Sequence, residues 1–143
     1  MIAKCIPYSP IREGFIGRLF RNQICYELQI GKKRSGRQLC FDPETKLLEN
    51  LVAIDLKKKY GDDLFFYHRN VEVDFFIPKE RRAIQVSYNI ENDITRQREI
   101  NALIKLSEVY NLEKLEIVTF DQEETIQEND VTIRVVPIWK WLI

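Results

Sequence analysis

The chain has 143 residues, enough for one domain and too few for two of ordinary size. Hydrophobic residues make up 45% and aromatic ones 11%, which excludes an intrinsically disordered chain. Lysine plus arginine number 22 and aspartate plus glutamate 22, so the formal net charge is zero. That balance argues against a protein that coats nucleic acid by bulk charge, although a local basic patch can still bind it. Three cysteines, Cys5, Cys25 and Cys40, match no zinc-ribbon or thioredoxin-type spacing and read as free thiols in a reducing compartment. A single histidine, His68, cannot build a histidine-rich metal site. No apolar run approaches the roughly 18 residues of a membrane span, and the N-terminus has no signal-peptide pattern, so a cytoplasmic protein without a membrane partner is expected.

Residues 1–43 are the least regular part. A short helix within Ile11 to Ile30 is interrupted by Gly14 and Gly17, and Gly31 to Arg37 is a basic loop that either touches phosphate or is simply solvated. The signals sharpen at Asp42, a good N-cap, followed by Pro43 and Glu44 at positions that favour a helix start. Leu47, Leu48, Leu51, Val52, Ile54 and Leu56 recur on a helical period, Lys57, Lys58 and Lys59 fill the last turn, and Gly61 closes it, which predicts a helix over 43–60.

Three strand-like runs follow, at Leu64–Tyr67, Val71–Ile77 and Ala83–Tyr88. Their short connections predict an antiparallel meander. Asp93 is expected to cap a second helix carrying Ile100, Leu103, Ile104, Leu106 and Tyr110, which Asn111 ends. Strands are predicted at Leu115–Phe120 and Val131–Val136, with the acidic stretch Asp121–Asp130 between them an exposed loop or hairpin. Pro137 opens a short terminal helix over 138–142. The order is helix, three strands, helix, two strands, helix.

Strict alternation puts Val71, Val73 and Phe75 on one face of the second strand, and Glu72, Asp74 and Phe76 on the other. On the third strand Ile84, Val86 and Tyr88 share a face, leaving Gln85, Ser87 and Asn89 opposite. If the polar faces align, Asp74, Gln85 and Ser87 form one cluster that Glu49 overhangs from the first helix. The plain alternative is a solvated sheet face with no chemistry.

The order of these residues resembles the PD-(D/E)xK nuclease core, and more closely the C-terminal domain of unknown function carried by a family of prokaryotic AAA-type P-loop ATPases. Leu48-Glu49-Asn50-Leu51-Val52-Ala53 looks like that family's helix motif and Tyr67 to Phe75 like its strand motif. Ala83 to Tyr88 sits where the family often has an acid-x-Lys strand, and Thr95 to Ile100 resembles its next helix. The resemblance covers about 100 residues, from 44 to 143, leaving 1–43 as a separate segment. It implies an α/β fold with a restriction-endonuclease-like core, a central mixed sheet of about five strands flanked by helices. It implies catalytic positions at Glu49, Asp74, Gln85 and Ser87, and metal ligation, with Mg2+ as the metal, by Asp74 and Glu49.

Two of those positions depart from the pattern. Gln85 replaces a metal-binding acid and Ser87 the lysine, so a hard cation loses a carboxylate and the developing phosphate charge loses its counter-ion. Losing one such stabiliser costs on the order of 10²–10³ in rate. No Walker A sequence is present, since Gly31-Lys32 lacks the earlier glycine and the following hydroxyl. A degenerate, non-catalytic nuclease-fold module is therefore expected, serving DNA binding or assembly with an ATPase in the same or a neighbouring chain. A Mg2+-dependent DNA endonuclease and a protein-interaction domain are the alternatives, the latter suggested by zero net charge and the aromatic C-terminus around Trp139 and Trp141. Lys79, Arg81, Arg82, Arg96 and Arg98 are the candidate DNA contacts, as a basic rim near the sheet edge. Homo-oligomerisation is compatible with all three readings.

Overall fold

The computed structural model describes Ile6–Pro7 and residues 43–143. The expectations for Cys5, Cys25, Cys40, the helix within 11–30, the basic loop at 31–37 and the Asp42 cap lie outside the described residues. Among the described residues, seven strands form one sheet flanked by helices, with β1 at Ile6–Pro7, β2 at Phe65–His68, β3 at Glu72–Ile77 and β4 at Arg82–Val86. The others are β5 at Lys114–Thr119, β6 at Glu124–Glu128 and β7 at Val131–Pro137, and the order in space is β1-β2-β3-β4-β5-β7-β6. The first four strands run antiparallel to their neighbours, β4, β5 and β7 are parallel, and β6 pairs antiparallel with β7. The parallel step from β4 to β5 needs a crossover, which helix α2 at Asp93–Tyr110 supplies.

Helix α1, Pro43–Tyr60, ends where Gly61 takes a left-handed φ of 56° that a side chain would resist. Leu48, Val52, Ala53 and Leu56 pack on one sheet face with Phe75, Ile77, Ile84, Val86 and Val118. Helix α2 covers the opposite face, where Ile100, Ala102, Leu103 and Leu106 meet Val73, Phe76, Ala83, Leu115, Ile117 and Ile133. Strand β5, buried on both faces, is mostly apolar: Leu115, Ile117 and Val118 are all in the core, with Glu116 and Thr119 the buried polar residues among them. The last element, the one-turn helix α3 at Ile138–Trp141, starts at Pro137 and leans on the α1 side through Ile138 and Trp141.

Two local features differ from the sequence reading. Asn92 rather than Asp93 caps α2, its side-chain oxygen accepting from the amides of Ile94 at 2.9 Å and Thr95 at 3.3 Å. Either residue suits the cap; with Asn there, Asp93 becomes a first-turn acid that the helix dipole favours. The acidic stretch, expected as a loop or a hairpin, forms the hairpin, because Asn129 and Asp130 both take positive φ and make the tight turn that matches strand twist.

The second difference is in β3. Phe65 pairs with Phe76 and Tyr67 with Val73, so the single residue Phe66 faces both Asp74 and Phe75. This is a bulge, and it shifts alternation by one. Val73 therefore packs under α2 and Phe75 under α1, where alternation had put both on one face. Phe75 is 4% exposed within the α1-side core. Phe75→Ala is expected to cost about 3–5 kcal/mol in a denaturant melt. Val109→Ala, on the exposed face of α2, is expected to stay within about 0.5 kcal/mol of wild type.

Candidate functional site

Strands β3 and β4 pair from Ile77–Arg82 through Phe76–Ala83 to Phe75–Ile84, and the ladder stops there. Beyond it, side chains take over the backbone groups. Asp74 N–H donates to Gln85 Oε1 at 2.8 Å, and Val86 N–H donates to Asp74 Oδ2 at 2.8 Å. Each residue thus satisfies an amide on the other strand's side of the gap. Gln85 Nε2 donates in turn to the Glu72 carbonyl at 3.0 Å and to Glu99 Oε2 on α2 at 2.7 Å. Those three bonds determine the orientation of the amide, since the reverse would set N–H against N–H.

Gln85 is 4% exposed and Glu99 5%, so both must be hydrogen-bonded to be tolerated. Arg98 closes the second oxygen of Glu99, with Nη2 at 2.6 Å and Nε at 3.1 Å. Ser87 is buried; its N–H continues the ladder to Val118 and its Oγ donates to the Asn89 carbonyl at 2.8 Å. Tyr88 N–H donates to Thr45 Oγ1 at 3.0 Å, tying the strand end to the first turn of α1. Lys46, one residue on, is 2.6 Å from Glu49.

Four carboxylates, Glu49, Glu72, Asp74 and Glu99, thus feel one another around the gap, with Lys46 and Arg98 at its margins. Burial pushes the Asp74 carboxyl well above its ordinary value of 3.8, and repulsion from Glu49 adds to the rise; the Val86 amide opposes it. Glu99 is also raised, by burial first, against the hydrogen bond from Arg98. The Lys46 ammonium is raised: burial works against its charge, but Glu49, Asp74 and Glu72 outweigh that.

This arrangement does not fit the Mg2+ site that the nuclease resemblance implies. One Asp74 oxygen is taken by Val86 N–H, Glu49 is held by Lys46, and the Gln85 oxygen is held by Asp74 N–H. Among the described residues, no three His, Cys, Asp or Glu side chains converge so as to hold a metal ion. The structure therefore brings Glu49, Asp74 and Gln85 together, but through backbone clips and an ion pair.

The candidate DNA contacts are not brought together as one rim. Lys79 pairs with Asp63 at 2.6 Å, Arg81 with Glu113 and with the Asn111 carbonyl at 2.7 Å, and Arg82 with Glu116 at 2.6 Å. Arg96 grips Glu124 through two bonds of 2.5 and 2.8 Å, and Arg98 holds Glu99. Asn111 caps the C-terminal end of α2 whereas Arg96 and Arg98 lie in its first two turns, so the two groups sit at opposite ends of an 18-residue helix about 27 Å long. Arg82 also lies over the Trp141 ring, 4.7 Å from its centroid, so Trp141 packs, while Trp139 is exposed.

Sequence reasoning missed Glu99 and Lys46. Glu99 precedes Ala102, Leu103 and Leu106 by three, four and seven residues, a core-facing position of α2, and an acid there is a readable anomaly. Lys46 carries no such signal, since lysines three residues before a glutamate are common solvent pairs.

No family model matches the chain, and no solved structure matches it. In an alignment 107 residues long that covers 67% of the chain, it is 36% identical to the uncharacterized protein MJ1544 of Methanocaldococcus jannaschii. The chain spans 24% of that protein. Among the described residues no helix is long and apolar enough to cross a membrane.

The raised Asp74 carboxyl makes a prediction about stability. A carboxyl that holds its proton more tightly in the folded chain favours folding while both states are protonated. As pH rises above 3.8 the unfolded chain ionises first, and stability falls until the native carboxyl ionises too. Thermal melts are expected to show wild type losing stability from pH 5 to 8, with a smaller loss in Asp74→Asn, which keeps the acceptor for Val86. Asp74→Ala is expected instead to lose about 1–3 kcal/mol, because it leaves the Val86 N–H unpaired.

Proposed function

We propose that this chain is a degenerate, non-catalytic nuclease-fold module that works in the cytoplasm with a prokaryotic P-loop ATPase, and that its role is assembly rather than cleavage. One observation carries the reading: Gln85, in the position of a metal-binding acid, spends all three of its hydrogen bonds holding β3, β4 and α2 together. Ser87, in the position of the lysine, is likewise turned to the Asn89 carbonyl. A mixed sheet with a helix on each face is the architecture that the resemblance implies. The similarity to about a quarter of a longer archaeal protein favours a module over an independent enzyme.

Assembly is preferred to DNA binding because each candidate DNA contact is already paired with a carboxylate. Phosphate would have to displace those partners, at no gain in pairing. A Mg2+-dependent endonuclease is the second reading. The observation that favours it is that Glu49, Glu72, Asp74 and Glu99 lie within electrostatic range of the gap, with the Lys46 ammonium among them.

Incubation with supercoiled, linear and branched DNA in Mg2+ or Mn2+ is expected to give no cleavage. Robust cleavage abolished by Asp74→Ala would sink the proposal in favour of the endonuclease. The double change Gln85→Glu with Ser87→Lys tests the strand alignment. Without metal it should melt below wild type, because a fifth acid joins the gap and the Glu72 carbonyl loses its donor. Millimolar Mg2+ or Mn2+ should then raise its melting point and leave wild type unmoved. No metal-dependent shift in the double variant would count against the nuclease-type reading of β3 and β4.

A further inference from the structure

Strands β4, β5 and β7 run parallel, so their carboxyl ends open on one edge of the sheet. In open α/β sheets that edge is where ligands are received, because its loops are held by rigid strands yet face solvent. Here two loops, 87–92 after β4 and 120–123 after β5, are laced together. Phe120 N–H donates to the Tyr88 carbonyl at 3.0 Å, and Ile90 N–H donates to Gln122 Oε1 at 2.7 Å. Gln122 is itself fixed, since its N–H donates to Thr119 Oγ1 at 3.1 Å and its carbonyl accepts from that hydroxyl at 2.8 Å. An ion pair from Lys140 to Glu123 ties α3 to the same loop.

These bonds hold a flat aromatic step. Tyr88 and Phe120 stack with centroids 4.9 Å apart and planes 18° from parallel. One face of Phe120 is covered by Tyr88, yet the residue is 48% exposed, so its other face is open to solvent. The same two loops carry Glu91, Asp121 and Glu123 and no lysine, arginine or histidine. Glu123 is taken by Lys140, whereas Glu91 and Asp121 are exposed and make no ion pair among the described residues. A negative, preordered edge with an open ring face selects its occupant. Phosphate groups would meet the acids, and a second copy would bring the same acids with it. An aliphatic segment would cover the two carboxylates and leave them without partners. An arginine answers both features at once: its guanidinium plane stacks on the ring, and its N–H groups pair with the carboxylates beside it. A lysine ammonium is more strongly hydrated and has no plane to stack.

We propose that the stacked Tyr88–Phe120 step, flanked by Glu91 and Asp121, is a docking surface for an arginine-bearing segment of a partner protein, with one guanidinium on the open face of Phe120. The surface uses none of the carboxylates of the gap between β3 and β4, so it stands whether or not that gap is catalytic.

Titration of the isotope-labelled full chain with the peptide acetyl-Gly-Arg-Gly-Arg-Gly-amide, followed by NMR, tests it. Saturable shifts are expected at the amides of 87–92 and 120–123. The same peptide with citrulline for arginine has nearly the same shape without the charge, and is expected to bind about tenfold more weakly. Phe120→Leu keeps an apolar side chain and removes the ring, while Glu91→Gln with Asp121→Asn removes the charge. Each variant is expected to weaken the arginine peptide about tenfold, with the rest of its spectrum unchanged as the check on folding. Absence of saturable shifts at millimolar peptide overturns the proposal, and so do shifts spread evenly over acids elsewhere on the surface. Equal binding of the citrulline peptide overturns it, as does undiminished binding to Phe120→Leu. Shifts at these loops produced by oligothymidylate, or by raising the protein concentration alone, overturn it too, and give the edge to nucleic acid or to a second copy.

Discussion

The parting of β3 from β4 after the Phe75–Ile84 pair is the constraint on which the rest of this structure depends. A sheet cannot leave buried amides unpaired, and here two amides would be orphaned within a few residues. Asp74 and Gln85 meet that demand by exchanging side chain for backbone across the gap. Because Gln85 also reaches Glu99, the same device docks α2 on the sheet, and because Tyr88 reaches Thr45, the strand end is tied to α1. Both flanking helices are thereby referenced to one point in the sheet.

Electrostatics at that point work against the fold. Burial disfavours the charged forms of Asp74 and Glu99, and repulsion from Glu49 adds to it, although hydrogen bonds suit each carboxylate singly. Elsewhere the chain pairs charge with charge locally, as in the two-point grip of Arg96 on Glu124, which holds that carboxyl below its usual range. The contrast marks the gap as the place where packing was not the sole consideration.

Much of this architecture was legible in the sequence, and the exceptions have physical causes. The helix over 43–60 was readable because Pro43, three lysines and Gly61 punctuate it at both ends. The terminal turn at Pro137 and the C-cap at Asn111 were readable for the same reason. The sides of β3 were not, because a bulge leaves no mark in the residues that form it: Asp74 and Phe75 look like any alternating pair. Strand β6 was half-visible, since Thr125 and Ile126 are its only strand-forming residues among acids, and the hairpin depends on two positive-φ residues in its turn. Leu47, Leu51 and Ile54 of α1, which are exposed, were counted with the core stripe, because leucines at 47, 48 and 51 fit either face equally well. At the gap, Asp74 and Gln85 were recognisable as neighbours. Their exchange of backbone bonds was not, since it needs the ladder to end at a particular pair.

The bulge at Asp74 and Phe75 has a consequence for how such a chain can change over generations. It places one residue that faces the gap immediately before one that faces the core, so the two duties are carried by adjacent but separate positions. Substitutions at 74, 85 or 87 can then alter what the gap holds while Phe75, Phe76 and Ile77 keep the strand in register. Single point changes at those positions therefore act first on the gap, with no insertion or deletion and with the Phe75–Ile84, Phe76–Ala83 and Ile77–Arg82 pairs left in place.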